Sequence, residues 1–374
     1  MKKLISLALS LSLATALFAS GASEAPGKTA ASSQQSGPKA YKVALIIENT
    51  IDDKGWCQAM HDGILEAQKE LPGRIEYSYS EKMAPVDAGS VARQYAAKGY
   101  DLIICGTYQM PDYLKEVATQ YPDQLYAIFD DTTYVGECEN IVNISFRQND
   151  LGYLCGVLAG ALTGDTSFEK INPEKVVGFV GGVDSPVIND FLIGYIEGAK
   201  SVNPDIKVDV RYTNDYVDTA IAKEFGLSMI NDNHCDLIWG VAGNAGNGAA
   251  EAAFETGKAY FLGVDSDQEL TLSSDLAAIT LTSGLKNIGN SLIWFFDEMD
   301  AGRTYFGQEV SLGLAEGGVG IVTDKNFATF ANDDLKAAIT AAEEAIKAGD
   351  VVVDSALAEG GPDLAVQLKN EVQP

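Results

Sequence analysis

Histidine is nearly absent from this 374-residue chain, which holds only His61 and His234. Metal centres and nucleophilic catalysis lean on imidazole as ligand or base, so the scarcity thins both classes. Neither histidine has an obvious serine or cysteine partner, and no G-x-S-x-G or H-E-x-x-H segment occurs. Positive charge is also short: 26 Lys and Arg stand against 53 Asp and Glu, a formal net charge of −27. A field of that sign repels nucleic acid, anionic lipid and phosphorylated metabolites, so no nucleic-acid partner is expected. Five cysteines, at 57, 105, 138, 155 and 235, cannot all pair, and their spacing matches neither a disulfide framework nor a zinc site. Cys105 in "LIICG" and Cys155 in "YLCGVLAG" lie in apolar runs, where a free thiol packs as a small hydrophobe. Buried, unpaired cysteines and no metal are expected.

Apolar residues make up 46% and charged residues 21%, a globular composition with length for two domains. The start of the chain is of another kind. Lys2 and Lys3 precede an apolar run, Leu4 to Phe18, and the small residues "ASGAS" follow. The run is too short and wrongly flanked for a membrane anchor, so residues 1–22 are expected to be a secretory signal cut after Ala22. No cysteine stands near that cut to carry a lipid. Residues 23–40, rich in Ser, Ala, Gly, Pro and Gln, are expected to be a flexible tether, and the protein to be exported to the periplasm or cell surface.

From Tyr41 onward, short apolar or β-branched runs alternate with stretches of helical spacing. "YKVALII", "IEYSYSE", "YDLIICG", "LYAIFDD" and "IVNISF" predict strands, with helices between the first four. After the long Gly- and Ala-rich helix of "NDLGYLCGVLAGALTG" the order begins again, with strands at "KVVGFVGG", "IKVDVRYT", "CDLIWGVAG" and "AYFLGVD". Continuous apolar strands joined by helices mean parallel sheets buried on both faces. The repeat predicts two similar α/β lobes. A strand, a long helix and a return strand at "SLGLAEGGVGIV" follow, then a solvent-facing helix at "ANDDLKAAITAAEEAIKAG". A tail of this length predicts three crossings between lobes, a hinge. The N-terminal lobe is taken as 41–147 plus 281–306, and the C-terminal lobe as 148–280 plus 307–374.

Open α/β sheets bind ligands outside the C-terminal ends of their strands. Here those ends carry Asp53 and Trp56, Gly106 to Asp112, Asp130 and Asp131, Gly243, and Asp265. "GNAGNG" lacks G-x-G-x-x-G spacing and predicts a tight strand-to-helix turn rather than a dinucleotide fingerprint. In "FDDTT" two adjacent acids point opposite ways, so only one faces a cleft. Asp53, Asp112 and Asp265 can accept hydrogen bonds from hydroxyl or N–H donors, and Lys286 can donate. Trp56, Tyr108 and Phe191 can sandwich a ring. Each has an ordinary alternative: helix capping for Asp53 or Asp112, solvation for Lys286, core packing for Phe191. Their common place at strand ends and helix entries favours a ligand site. No cofactor is implied.

The ordered motifs "DKGWCQAMHDG", "IICGTYQMPD", "NDLGYLCGVLAG", "GGVDSPVINDFLIGYIEGAK", "AGNAGNGAAEAA", "GVDSDQ" and "TSGLKNIGNSL" make the chain resemble the basic membrane protein family of bacterial solute-binding proteins. The likeness runs from about Tyr41 to Ile321. It implies a type I periplasmic binding protein fold with a three-strand hinge, a monomer, and no enzymatic activity. It also implies a purine nucleoside ligand such as inosine, guanosine or adenosine, delivered to an ABC transporter permease. On this resemblance Asp265, Lys286 and Asp53 hold the ribose, Asp112 reads the base, Trp56 and Phe191 stack on it, and Gly243 brings backbone close to the ribose. Trp56 stands where the family usually has Phe, Cys57 where it has Asn, and Tyr108 where it has Phe, departures that retune the pocket. The alternatives are the same fold holding a sugar or other small polar ligand, or an exported nucleoside-processing enzyme.

Overall fold

The structure is a computed structural model that describes residues 39–374. The expected signal segment, and all but the last two residues of the expected tether, lie outside the described residues. The chain opens with β1 (Tyr41–Ile46), α1 (Trp56–Glu70), β2 (Ile75–Ser80), α2 (Ala88–Ala97), β3 (Leu102–Cys105), α3 (Pro111–Gln120), β4 (Leu125–Phe129) and β5 (Ile141–Phe146). It continues through α4 (Gln148–Leu162), β6 (Val176–Gly181), α5 (Pro186–Val202), β7 (Lys207–Tyr212), α6 (Thr219–Asn231), β8 (Leu237–Val241), α7 (Gly243–Thr256) and β9 (Tyr260–Asp265). Two short helices, α8 (Gln268–Thr271) and α9 (Ser274–Ala277), lead to β10 (Thr280–Lys286) and α10 (Ile288–Asp300). Then come β11 (Glu309–Leu312), β12 (Val319–Ile321), α11 (Lys325–Phe330), α12 (Asp333–Ala348) and α13 (Gly361–Val372).

These strands build two six-stranded sheets, ordered β11-β5-β4-β3-β1-β2 and β12-β10-β9-β8-β6-β7. Every pairing is parallel except β10 with β12. The central strands are buried along their whole length, which is why they lack the in-out alternation of a half-exposed sheet. The expected fold class, two α/β lobes of the periplasmic binding protein kind, is what forms. The chain crosses between lobes at 146–148, at 286–288, and between β11 and β12.

Where those crossings fall differs from expectation. β10 pairs with β9, so it belongs to the second sheet, whereas boundaries of 281–306 give it to the first lobe. β11 pairs with β5 in the first sheet, whereas 307–374 gives it to the second. "SLGLAEGGVGIV" is accordingly two strands in two sheets, split at Gly313 to Gly318. α12 is not simply solvent-facing: Leu335, Ile339 and Ile346 are buried, and the helix packs on α4. "GNAGNG" is not a turn before the helix but its first six residues, with only Gly243 left-handed at φ +54. All five cysteines are buried and free.

The glycines of α4 set the position of one wall of the cleft. Gly152, Gly156 and Gly160 share one face and lie directly on the backbone of α5 at Phe191, Tyr195 and Ala199; Gly194 and Gly198 answer from α5. A Cβ at any of these positions would collide with a carbonyl oxygen. α5 also carries Phe191, which lines the cleft and is only 2% exposed.

Candidate functional site

The C-terminal ends of both sheets face one another across a cavity that encloses about 710 Å³, its open mouth included. That is the size of a small-molecule site. Seven of the nine expected residues line it: Asp53, Trp56, Tyr108, Phe191, Gly243, Asp265 and Lys286. Glu48, Asn49, Asp130, Val187 and Tyr216 also line it.

Lys286 is the charged centre of this space. It ends β10, is 4% exposed, and its ammonium lies 2.5 Å from Asp130 Oδ2 across the cleft. The same ammonium sits 4.8 Å from the Trp56 ring centroid, 4.9 Å from Phe191 and 5.4 Å from Phe146. Three aromatic faces and one carboxylate thus compensate a cation taken out of water. The second oxygen of Asp130 is buried and unpartnered.

Asp265 ends β9 beside Lys286. Among the described residues its side chain makes no hydrogen bond, and burial pushes its pKa up to about 7 against the pull of Lys286, with Asp130 and Asp53 adding to the rise. Lys54, Asp130 and Asp265 all adopt the left-handed region, at φ +58, +58 and +66. Each such non-glycine residue costs about 1–3 kcal/mol. Asp130 and Asp265 line the cavity and Lys54 follows the lining Asp53, so the surrounding fold forces these backbones into place.

Asp53 is placed differently. Its carboxylate accepts from the backbone N–H groups of Gly55, Gln58 and Cys57, at 2.9, 3.0 and 3.3 Å. These are first-turn donors of α1, so the helix-capping alternative describes most of its bonding. Burial nevertheless holds the carboxyl above its usual range. Capping fixes the start of α1, and with it Trp56, whose indole N–H donates to Gly106 O and whose ring meets Phe146 edge-on.

Two expected residues do not reach the cavity. Asp112 is exposed on the first turn of α3 and accepts from the Tyr134 hydroxyl, because α3 begins at Pro111 and turns that position outward. Cys57 points behind the wall, where its buried thiol touches the Glu48 and Asp53 carboxyls and is pushed far above the usual thiol range, chiefly by burial. It is the neighbour of a lining residue, not a lining residue.

Glu48, Asn49, Val187 and Tyr216 are among the lining groups that sequence reasoning missed, and Asp130 was named only as an acid at a strand end. Glu48 directly follows the apolar strand run and so sits at a strand C-terminus, the one signal that could have found it. Its Oε2 is buried and unpartnered, and burial pushes its pKa up to about 7. Tyr216 lies in the loop after β7, on the same side of its sheet.

The lobes are in contact. Tyr108 Oη lies 2.7 Å from Tyr216 Oη, Gln268 Nε2 donates to Lys54 O at 2.8 Å, and Gly55 abuts Gly243 so closely that a Cβ on Gly55 would meet Gly243 Cα at 2.9 Å. Gly243 and Gly55 therefore let the N-termini of α7 and α1 meet across the cleft. No helix among the described residues is long and apolar enough to cross a membrane, and none of their acid, histidine and cysteine groupings forms a metal cluster.

Comparison with known proteins agrees with this architecture. Residues 40–354 match the family model Bmp, described as ABC transporter substrate-binding protein PnrA-like. A CD4+ T-cell-stimulating antigen of Listeria innocua is 30% identical over 335 residues, covering 86% of this chain and 90% of that protein. The ABC transporter nucleoside-binding protein BmpA of Lactococcus lactis is 28% identical, covering 84% of this chain and 89% of that protein. Among solved structures, an ABC transporter system solute-binding protein from Aeropyrum pernix superposes with a TM-score of 0.76 at 22% identity, over 89% of this chain and 99% of that one. With two lobes, a hinge of three crossings, a charged cleft between them and a family model matching most of its length, this chain belongs to the Bmp family of PnrA-like ABC transporter substrate-binding proteins.

Proposed function

We propose that this protein captures a purine nucleoside between its lobes and hands it to the permease of an ABC transporter. One observation carries the reading: a buried Lys286 flanked by Asp130 and Asp265, in a cavity walled by Trp56 and Phe191. The carboxylates and the ammonium match ribose hydroxyls, which both donate and accept, and the aromatic faces match a flat base. Four acids, Glu48, Asp53, Asp130 and Asp265, line the cavity with one lysine and repel a phosphate, so the ligand is a nucleoside and not a nucleotide. The name of the Lactococcus relative supports the same class. Export as a monomer with residues 1–22 removed completes the reading, since a permease on the cell surface must meet its binding protein outside the membrane.

Stacking supplies about 1–3 kcal/mol and each desolvated hydrogen bond to a charged group about 1.5–3 kcal/mol. A clamp with two or three such bonds reaches sub-micromolar binding after ordering costs. The test is native mass spectrometry of protein purified from cells, followed by denaturation and identification of the released compound. A purine nucleoside supports the reading. A sugar, or free base formed from added inosine, overturns it in favour of another solute or of catalysis.

A further inference from the structure

A second cavity adjoins the first between the lobes and encloses about 840 Å³, its open mouth included. Tyr108, Asp130 and Val187 line both, so the two spaces meet at those side chains. Asp131, Thr132 and Ser145 complete the wall on the first lobe, and Gln148, Pro186 and the chain at 356–358 line it on the second. That last stretch is pinned in place. Asp190 Oδ1 accepts from Ser355 Oγ at 2.6 Å and from the Ala356 N–H at 2.8 Å. Asn149 Nδ2 donates to Val353 O at 3.0 Å and to Asp354 O at 3.2 Å. The wall is part of the fold, not a loose edge.

Two acceptors here lack a donor. Gln148, the first residue of α4, is 1% exposed, and no donor among the described residues meets its Oε1. Asp130 gives Oδ2 to Lys286, while its buried Oδ1 is unmet as well. A buried acceptor without a partner is costly, and a ligand that donates to it removes the cost. Resting on the nucleoside reading above, we propose that this cavity is a second subsite, which holds a neutral, hydroxyl-bearing group attached to C5′ of the bound nucleoside.

The charges choose the group. Asp130 and Asp131 stand in the wall and no lysine or arginine does, so an anion is repelled. An ammonium would share Asp130 with Lys286, whose Nζ already lies 2.5 Å from Oδ2, and two cations would crowd one carboxylate. A hydroxyl meets neither penalty. It donates to Gln148 Oε1 or Asp130 Oδ1 and still accepts from a neighbour such as the Thr132 hydroxyl. The attachment point follows from the ribose. Lys286, Asp130 and Asp265 hold the ring hydroxyls in the reading above, and Asp130 borders the second cavity, so the extension leaves from the ribose end rather than from the base. C5′ is the exocyclic ribose carbon, and a group on it leaves both ring hydroxyls in place.

The experiment is isothermal titration of the full chain and its Gln148→Leu variant. Adenosine, inosine and guanosine are titrated first, and the tightest is taken as the parent. Three 5′-thioethers of that parent follow, ending in propyl, 2-hydroxyethyl and 2-aminoethyl groups, equal in length and different only at the last atom. The hydroxyethyl compound is expected to bind at least about fivefold tighter than the other two, the gain from one added hydrogen bond in a dry site. Gln148→Leu is expected to cut that preference to about twofold or less and to leave affinity for the parent within about twofold. Thioethers that all bind at least about tenfold weaker than the parent would mean that nothing fits beyond C5′, and overturn the subsite. A propyl compound as tight as the hydroxyethyl one, an aminoethyl compound tighter than both, or a preference that survives Gln148→Leu also overturns it. In each of these cases the parent still binds and the nucleoside reading stands. Absence of binding to all three parent nucleosides overturns that reading, and the subsite with it.

Discussion

Tyr108 and Tyr216 meet hydroxyl to hydroxyl at 2.7 Å, one from the loop after β3 and the other from the loop after β7. The first belongs to one lobe and the second to the other, so this bond exists only while the cleft is shut. Tyr216 is tied further to its own lobe, where its hydroxyl receives the Val183 N–H at 3.4 Å and its ring covers Gly182. Tyr216 is thus held on its own lobe, and Tyr108 supplies the contact from the other. A ligand shifts such an equilibrium only by binding the closed form better, so any contact between the lobes adds to apparent affinity. Tyr108→Phe keeps the ring and removes the bond. Ligand affinity should fall by about two- to tenfold, the worth of one hydrogen bond of about 0.5–1.5 kcal/mol. Tyr216→Phe should do the same, and the double variant should lose little more than either single one in calorimetric titration. Additive losses would mean that the two hydroxyls serve the ligand separately.

Lys286 pairs with Asp130 and stands beside Asp265, and its removal leaves both uncompensated. Lys286→Met should raise the ligand dissociation constant by at least about tenfold, because truncating one partner of a buried ion pair strands the other charge. Circular dichroism should still show the same mixed α/β fold, since the lobes can open and hydrate Asp130 and Asp265. Unchanged affinity would remove Lys286 from the site.

How much of this was legible in the chain depended on whether a signal was local. The strands and helices from β1 to β9 follow from apolar runs that read the same in any context, and the repeat of their order exposed two lobes. The cleft residues Trp56 and Asp265 followed from a general rule about strand ends, and Phe191 and Lys286 from their place near helix entries. Sheet membership of β10 and β11 did not follow, because a four-residue strand such as Glu309–Leu312 carries nothing that says which sheet it will join. Only its docking on β5 decides that. Asp112 shows the same limit. Its place in a strand-to-helix loop was readable, but the first turn of α3 rotates it away from the cavity. Glu48 was passed over because a single acid after a strand resembles an ordinary strand end until the neighbours that bury it are known.

The outward position of Asp112 has a direct consequence. Asp112→Asn should change affinity by less than about twofold, as a surface substitution usually does. It should alter only the contact with Tyr134. A loss of tenfold or more in titration would return the base-reading role to Asp112.

Trp56 and Cys57 are adjacent in sequence yet face different things, so they should separate in two measurements. Trp56→Ala removes a cavity wall and should cost about 1–3 kcal/mol of ligand affinity. Cys57→Ala leaves the wall standing and opens a small void between Glu48, Asp53 and α1. It should lower thermal stability by about 1 kcal/mol with a smaller effect on affinity. Titration and calorimetric unfolding of both variants give the comparison. The reverse order in titration would make Trp56 a packing residue.

Asp236 offers a test of stability far from the cleft. It stands just before β8, at the end of the sheet opposite the ligand cavity, and is wholly buried. One oxygen accepts from Thr163 Oγ1 at 3.0 Å and from the Asn172 N–H at 3.2 Å, and the other is unpartnered. Burial raises its pKa more than these bonds lower it, to about 7. An aspartate that titrates near 4 in the unfolded chain therefore binds its proton more tightly when folded. Its contribution to stability is whole below about pH 4 and is lost as the pH rises through about 7. Asparagine keeps the shape and stays neutral throughout. Asp236→Asn should therefore stabilise the protein at about pH 8, raising the unfolding midpoint by about 2 °C or more, and should change it little at about pH 4. Ligand affinity should be unaffected at either pH. A loss of stability at pH 8 would show that the ionised carboxylate has a partner in the folded protein, and that Thr163 and Asn172 hold a charge rather than a neutral acid.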